Sequence, residues 1–143
     1  MKKALTLLTL CLASLTILSS EPTFDATPVA QYFLDVDFNV VSHDETAQYV
    51  KNIYHHNGDL YRVELHAIDG RLKMTGFSDD PNGEVRTGMH IFFYDNGAVE
   101  CEGEYRQGIK VGTWNRWDFY GNAKDSRFYS EDRWKKIHAL RFG

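Results

Sequence analysis

Six histidines and twenty acidic residues are the groups of this chain with most chemistry to offer, so their spacing decides what chemistry is open to it. A metal site wants ligands at characteristic separations. The one close pair, His55-His56, is adjacent and points to opposite faces of a strand. His56 and His66, with Glu64 nearby, would face each other across a hairpin at Asn57-Gly58, which would allow incidental zinc binding; His43, His90 and His138 have no such neighbour. Paired carboxylates do acid and base work when a cleft raises one pKa. Asp35 and Asp37 share a strand face, and Asp79-Asp80 and Glu131-Asp132 are adjacent, yet nothing apolar surrounds these pairs in sequence, so solvated faces are expected. The run from Asp79 to Glu84 has the composition of a calcium loop without its ligand periodicity, and reads as an acidic turn. Cys101 alternates with glutamates on a strand instead of opening a helix beside a histidine, and no glycine-flanked serine elbow is present. Nothing in these patterns implies an enzyme, a metal or a cofactor.

Aromatic residues carry more signal. Phe92, Phe93, Tyr94, Tyr105, Trp114, Trp117, Phe119, Tyr120, Phe128 and Tyr129 are too many for one side of a thin sheet. Most are expected in a stacked core. Alternation nevertheless sets Phe93 and Trp117 opposite Phe92, His90 and Trp114, so one sheet face is expected to expose an aromatic strip, with Phe93, Trp114, Trp117 and Tyr120 as its candidate binding residues.

The elements that must position these residues are announced by turns. Asn57-Gly58, Asp69-Gly70, Asn82-Gly83, Asn96-Gly97, Gln107-Gly108 and Gly121-Asn122 recur every 11 to 14 residues or so. Asn-Gly and Asp-Gly accept the positive φ of tight hairpin turns, and short strands at this spacing indicate an antiparallel all-β fold. Tyr32, Leu34, Val36, Phe38 and Val40 alternate with polar residues as one strand, and Val99, Cys101, Gly103 and Tyr105 alternate with Glu100, Glu102, Glu104 and Arg106 as another. The tail SEDRWKKIHALRFG reads either as a short helix capped by Ser130, with Glu131 and Asp132 in its first turn, or as a strand through Trp134, Lys136, His138, Leu140 and Phe142.

A repeat underlies the beat. GMHIFFYDNG from Gly88 is echoed 24 residues later by GTWNRWDFYG from Gly112, which pairs His90 with Trp114, Phe93 with Trp117, Gly97 with Gly121 and Tyr105 with Tyr129. An upstream copy follows if three residues are inserted, matching Gly70 with Gly97, Met74 with Cys101 and Gly76 with Gly103. The copies span about 70–87, 88–111 and 112–130, and Gly70, Gly76, Gly88, Gly97, Gly103, Gly108, Gly112 and Gly121 punctuate them. Units of this length stack so that each buries its neighbour's apolar face. The expected fold is an all-β antiparallel meander of hairpin repeats forming a twisted single-layer sheet.

In GMHIFFYDNG, ECEGEYRQGIKVGTW and NRWDFYGN the chain resembles the MORN-type repeat proteins, in the bacterial form labelled YwqK-family antitoxin. The likeness runs from Gly70 to Tyr129. His90 and Arg116 depart from it, standing where the family has aromatic residues. The resemblance implies a sheet of hairpins with stacked aromatic side chains, serving as a scaffold or binding module; the antitoxin label carries no mechanism with it.

The first twenty residues have the layout of a secretory signal peptide. Lys2 and Lys3 precede the apolar run ALTLLTLCLASLTIL, then Ser19 and Ser20 and the breaker Glu21-Pro22. That run is shorter than the roughly 20 apolar residues a membrane span needs, and Leu8-Thr9-Leu10 before Cys11 does not fit a lipoprotein cleavage site. An exported protein, periplasmic or secreted, is expected, with an extended lead-in over 21–30, the repeat domain over 31–143, and no transmembrane segment after cleavage. Loss of Lys2 and Lys3 leaves 14 basic against 20 acidic residues, which disfavours nucleic acid and anionic lipid as partners. The expectation is a non-enzymatic binding or scaffold protein acting through an aromatic sheet face on a protein or cell-envelope partner. A carbohydrate- or lipid-binding module, or an antitoxin-like immunity protein, is the alternative.

Overall fold

One turn, used four times, organises the sheet. In the computed structural model, which describes residues 27–43 and 46–143, segments 35–39, 67–71, 94–98 and 118–122 have the same hydrogen bonds. The first residue's N–H donates to the fifth residue's carbonyl, and the fourth residue's N–H donates back to the first residue's carbonyl, at 2.8–3.1 Å. That is a type I turn closed by a residue in the left-handed region, the common three-residue hairpin loop. Gly70, Gly97 and Gly121 hold the fourth position at φ 91°, 82° and 86°. In the first copy it is held by Phe38, at φ 63°.

This corrects the expected strand over 32–40. Its alternation is real, but Asp35 breaks it by accepting hydrogen bonds from the N–H groups of Asp37 and Asn39, both at 2.9 Å. Those bonds hold the Asp35 carboxyl below its usual range, the one from Asn39 most of all. Phe38 tolerates an unfavourable backbone because its ring stacks on Tyr49, with centroids 4.8 Å apart. The segment is therefore a hairpin of β1 (Ala30–Leu34) and β2 (Val40–Val41).

The remaining strands are β3 (Tyr49–Asn57), β4 (Leu60–Ala67), β5 (Leu72–Ser78), β6 (Arg86–Phe93), β7 (Val99–Arg106), β8 (Ile109–Trp117) and β9 (Ala123–Tyr129). All pairings are antiparallel, in one open sheet ordered β2-β1-β3-β4-β5-β6-β7-β8-β9. The expected antiparallel single-layer meander is what the chain forms. Because β1, β4, β6 and β8 run the same way, the four alike turns lie at one end of the sheet. At the other end are the turns at Gly58, at Gly83 and at Gln107-Gly108, whose φ angles of 48° and 72° suit a two-residue loop between Arg106 and Ile109.

The tail resolves as helix α1, Glu131–Phe142. Ser130 is its N-cap, accepting from the Arg133 N–H at 3.3 Å, with Glu131 and Asp132 at the positive end of the dipole. Helical spacing lays Trp134, His138 and Phe142 along one face, with ring centroids 4.6 and 4.9 Å apart. The helix is tied to the sheet end away from the four turns. Arg106 pairs with Glu131 at 3.0 Å and lies over the Trp134 ring, whose indole N–H donates to the Arg106 carbonyl. The expected leader over 1–20 lies outside the described residues, as does most of the lead-in over 21–30.

Candidate functional site

The repeat is built around a ring laid on a glycine. Opposite Gly103 on β7 stand Gly112, Thr113 and Trp114 of β8, since the pairing steps from Glu102↔Asn115 to Glu104↔Val111. Opposite Gly76 on β5 stand Gly88, Met89 and His90 of β6, by the same step. Gly112 and Gly88, at φ 66° and 62°, take the left-handed backbone that such a bulge needs. The bulge drops the next ring onto the facing glycine. A Cβ on Gly103 would come within 2.5–2.6 Å of three Trp114 ring atoms, and one on Gly76 within 2.2–2.5 Å of His90.

Trp114 is therefore core. It is 1% exposed, edge-on to Tyr105 at 5.1 Å and to Tyr129 at 6.3 Å, with the Lys110 ammonium 3.8 Å from its ring centroid. Its indole N–H donates to the Glu104 carbonyl at 3.3 Å. It does not join the exposed strip for which it was a candidate. The reason is local: the Gly112 bulge and the missing side chain at Gly103 make a bed for the ring, which alternation alone does not show.

His90 occupies the same place one unit earlier and is also 1% exposed. Nδ1 lies 3.3 Å from the Gly88 carbonyl and Nε2 has no hydrogen-bond partner. Burial pushes its pKa down to about 4, against the opposing effect of the Gly88 hydrogen bond. His90 lines an open trough of about 590 Å3 on the core face, walled by Leu34, Val63, Leu65, Met74 and Phe92.

The other candidate residues gather at the four-turn end. Tyr94 donates its hydroxyl to the Trp117 carbonyl at 2.9 Å and packs edge-on against Phe119, which in turn packs edge-on against Tyr120. Phe119 is 46% and Tyr120 86% exposed, while Phe93 and Trp117 are half-buried. Polar bonds lace the neighbouring turns together. Asp95 holds Arg71 and Lys73, and the Asn96 side-chain amide donates to the Phe119 carbonyl at 2.8 Å. Asp118 accepts from the N–H groups of Tyr120 and Asn122, both at 2.9 Å, which fixes the turn that presents Tyr120. The register thus brings Phe93, Trp117 and Tyr120 toward one end and leaves Trp114 in the core. Phe119 and Tyr94, not singled out as site candidates, complete the cluster; the recurring first and fifth turn positions, Tyr94-Ala98 and Asp118-Asn122, were the signal that would have found them.

The catalytic and metal candidates are dispersed. His66 pairs across the sheet with Val50 and not with His56, and its Nε2 lies 3.1 Å from Glu64; the expected facing of His56 and His66 fails, because a tight turn at Asn57-Gly58 sets His56 at the bulge between the Asn57↔Leu60 and His55↔Tyr61 pairs and carries His66 along to Val50. Asp80 knits its loop by accepting from Ser78 and from the N–H groups of Asn82, Glu84 and Val85. Glu131 and Asp132 lie in the first turn of α1. Among the described residues no three His, Cys, Asp or Glu side chains converge as a metal site, and no helix is long and apolar enough to cross a membrane.

Fold and site define a class by geometry: an open single-layer β-repeat sheet whose units are a left-handed glycine, a ring on the glycine of the preceding strand, and a three-residue turn. Comparison of the chain with protein-family models, with curated proteins and with solved structures finds no match in any of the three.

Proposed function

We propose that this is an exported, non-enzymatic β-repeat binding or scaffold protein of the MORN type, which engages a protein partner of the cell envelope through the aromatic cluster at its four-turn end. The observation that carries the reading is that cluster: Phe119 and Tyr120 stand exposed on a turn fixed by Asp118 and braced by Asn96 and Tyr94. A rigid, exposed pair of large aromatic side chains is the usual anchor of a protein interface, since little conformational entropy is lost when it is covered. The rings meet at 64° and 89°, so they form a knob and not the flat platform on which a sugar ring stacks. The acidic surface favours a neutral or basic protein over anionic lipid or nucleic acid.

The test is affinity capture from envelope extracts with the mature chain and with a Phe119→Ala, Tyr120→Ala double variant. Both should unfold within about 0.5 kcal/mol of each other, because exposed side chains away from core and caps contribute little to stability. Partner recovery should fall at least tenfold for the variant, a loss of about 1.4 kcal/mol or more. Equal recovery by two equally folded proteins would remove the cluster from the binding surface.

A further inference from the structure

The trough on the core face is a second place where this molecule is unfinished. Its walls combine an apolar strip with charged side chains, its volume of about 590 Å3 lies in the range of small-molecule sites, and His90 lines it with an unsatisfied nitrogen. The chemistry of that nitrogen is fixed by its ring. A carbonyl only accepts, so the Nδ1 contact with Gly88 puts the ring proton on Nδ1 and leaves Nε2 as a bare lone pair. The corresponding Trp114 has an N–H at its far edge and uses it on the Glu104 carbonyl; imidazole in this tautomer offers an acceptor instead, and none of the described residues supplies a donor to it. A buried acceptor without a donor costs free energy that a donor would return.

We propose that the trough binds a neutral amphiphile, an aliphatic chain ending in a hydroxyl, with the chain along Leu34, Val63, Leu65, Met74 and Phe92 and the hydroxyl donating to His90 Nε2. The charges around the trough are close to balanced, which suits a neutral ligand, and the lone pair on Nε2 adds to this. The trough lining includes Lys51, Lys73 and Arg86 but also Glu84 and Glu100. Lys73 is spent on Asp95 at 2.7 Å and Lys51 donates to the Asn82 carbonyl at 3.0 Å, and the Nε2 lone pair repels a carboxylate. A metal ion is disfavoured because no group of three or more His, Cys, Asp or Glu side chains gathers as a metal site among the described residues. Nε2 is covered in the free protein, so the hydroxyl reaches it when a neighbouring side chain swings aside. Arg86, which lies over the Phe92 and Tyr105 rings and donates to the Tyr105 hydroxyl, is a long flexible side chain in the trough lining. This site shares Phe93 with the turn-end group but neither Phe119 nor Tyr120, and it stands or falls without them.

The experiment titrates the mature protein, labelled with 15N in its histidine rings, with 1-octanol, with the methyl ether of the same length, which has no donor, and with octanoate. Octanol should bind saturably and shift the His90 Nε2 resonance while the Nδ1 signal keeps its protonated character. The ether should bind about tenfold more weakly, the loss of one hydrogen bond, and octanoate should be weaker than octanol. In His90→Phe, whose ring still lies on Gly76, octanol and ether should bind alike. Equal affinities in the unsubstituted protein, an Nε2 resonance that octanol leaves in place, or one already at a hydrogen-bonded position without ligand because water alone fills the site, would each overturn the proposal. The wild-type resonance decides the matter even if the variant fails to fold.

Discussion

Trp114→Ala is expected to cost about 3–5 kcal/mol of folding stability, the range for removing a large buried ring, whereas Tyr120→Ala should cost under about 0.5 kcal/mol. The contrast is the energetic meaning of 1% against 86% exposure in two aromatic residues of the same repeat. Gly103→Ala tests the same contact from the other side. Gly103 is not in a left-handed conformation, so alanine suits its backbone, and the penalty is steric: a methyl carbon 2.5 Å from the Trp114 ring. The ring cannot yield, with Tyr105 and Tyr129 edge-on to it and Lys110 over it. Overpacking of this kind costs about 1–3 kcal/mol, or more where nothing can move. Urea unfolding with an unchanged m-value is the measurement. A Trp114→Ala midpoint equal to that of Tyr120→Ala would show that Trp114 is not the core residue described above.

The second large effect is acid lability from His90. Its folded pKa of about 4 lies below the ordinary imidazole value of 6.5, so above pH 6.5 the ring is neutral in both states and stability does not depend on it. As pH falls from 6.5 toward 4, the unfolded chain takes up a proton that the folded one refuses, and stability drops by about 1.4 kcal/mol per pH unit, roughly 3 kcal/mol in all, before levelling off. The turn carboxylates titrate in a lower window. Asp118, held below the usual range by the Asn122 side chain and backbone, and Asp95, held down by Lys73, lose their contributions as pH falls below about 4. His90→Phe should therefore flatten the profile between pH 6.5 and 4 while leaving the lower limb. A variant profile with the same slope in that window would assign the lability to other groups.

Much of the fold was legible because glycine advertises it. Gly70, Gly97 and Gly121 mark turns whose fourth residue needs positive φ, and the 24-residue echo of Gly88-His90 in Gly112-Trp114 marks bulge and ring together. The hairpin at 35–39 was hidden for the opposite reason. Phe38 holds a glycine's conformation, Val36 and Phe38 continue an apolar alternation, and the turn is written in side-chain bonds from Asp35 to Asn39 that periodicity does not register. The same Asp and Asn bracket 118–122, and that likeness was the readable clue. The tail was ambiguous because Trp134, His138 and Phe142 satisfy both a two-residue and a four-residue repeat; Ser130 and the contact with Arg106 settle it as a helix. The candidate site was half legible. Which faces aromatic residues take follows from alternation, but which ring is buried depends on bulges at Gly88 and Gly112, and these follow from tertiary pairing.

The order of strands has a further consequence. From β3 to β9 each strand lies beside its predecessor in the chain, and β2 alone sits out of order, beyond β1. Long-range contacts are then almost entirely those of successive hairpins, a topology of low contact order that closes short loops one after another. Such a sheet can assemble by accretion, each new hairpin laying its ring on the glycine of the strand already in place. It can also come apart from its edges inward, with β5 at the centre of the order and its neighbours β4 and β6 exchanging their amide protons last.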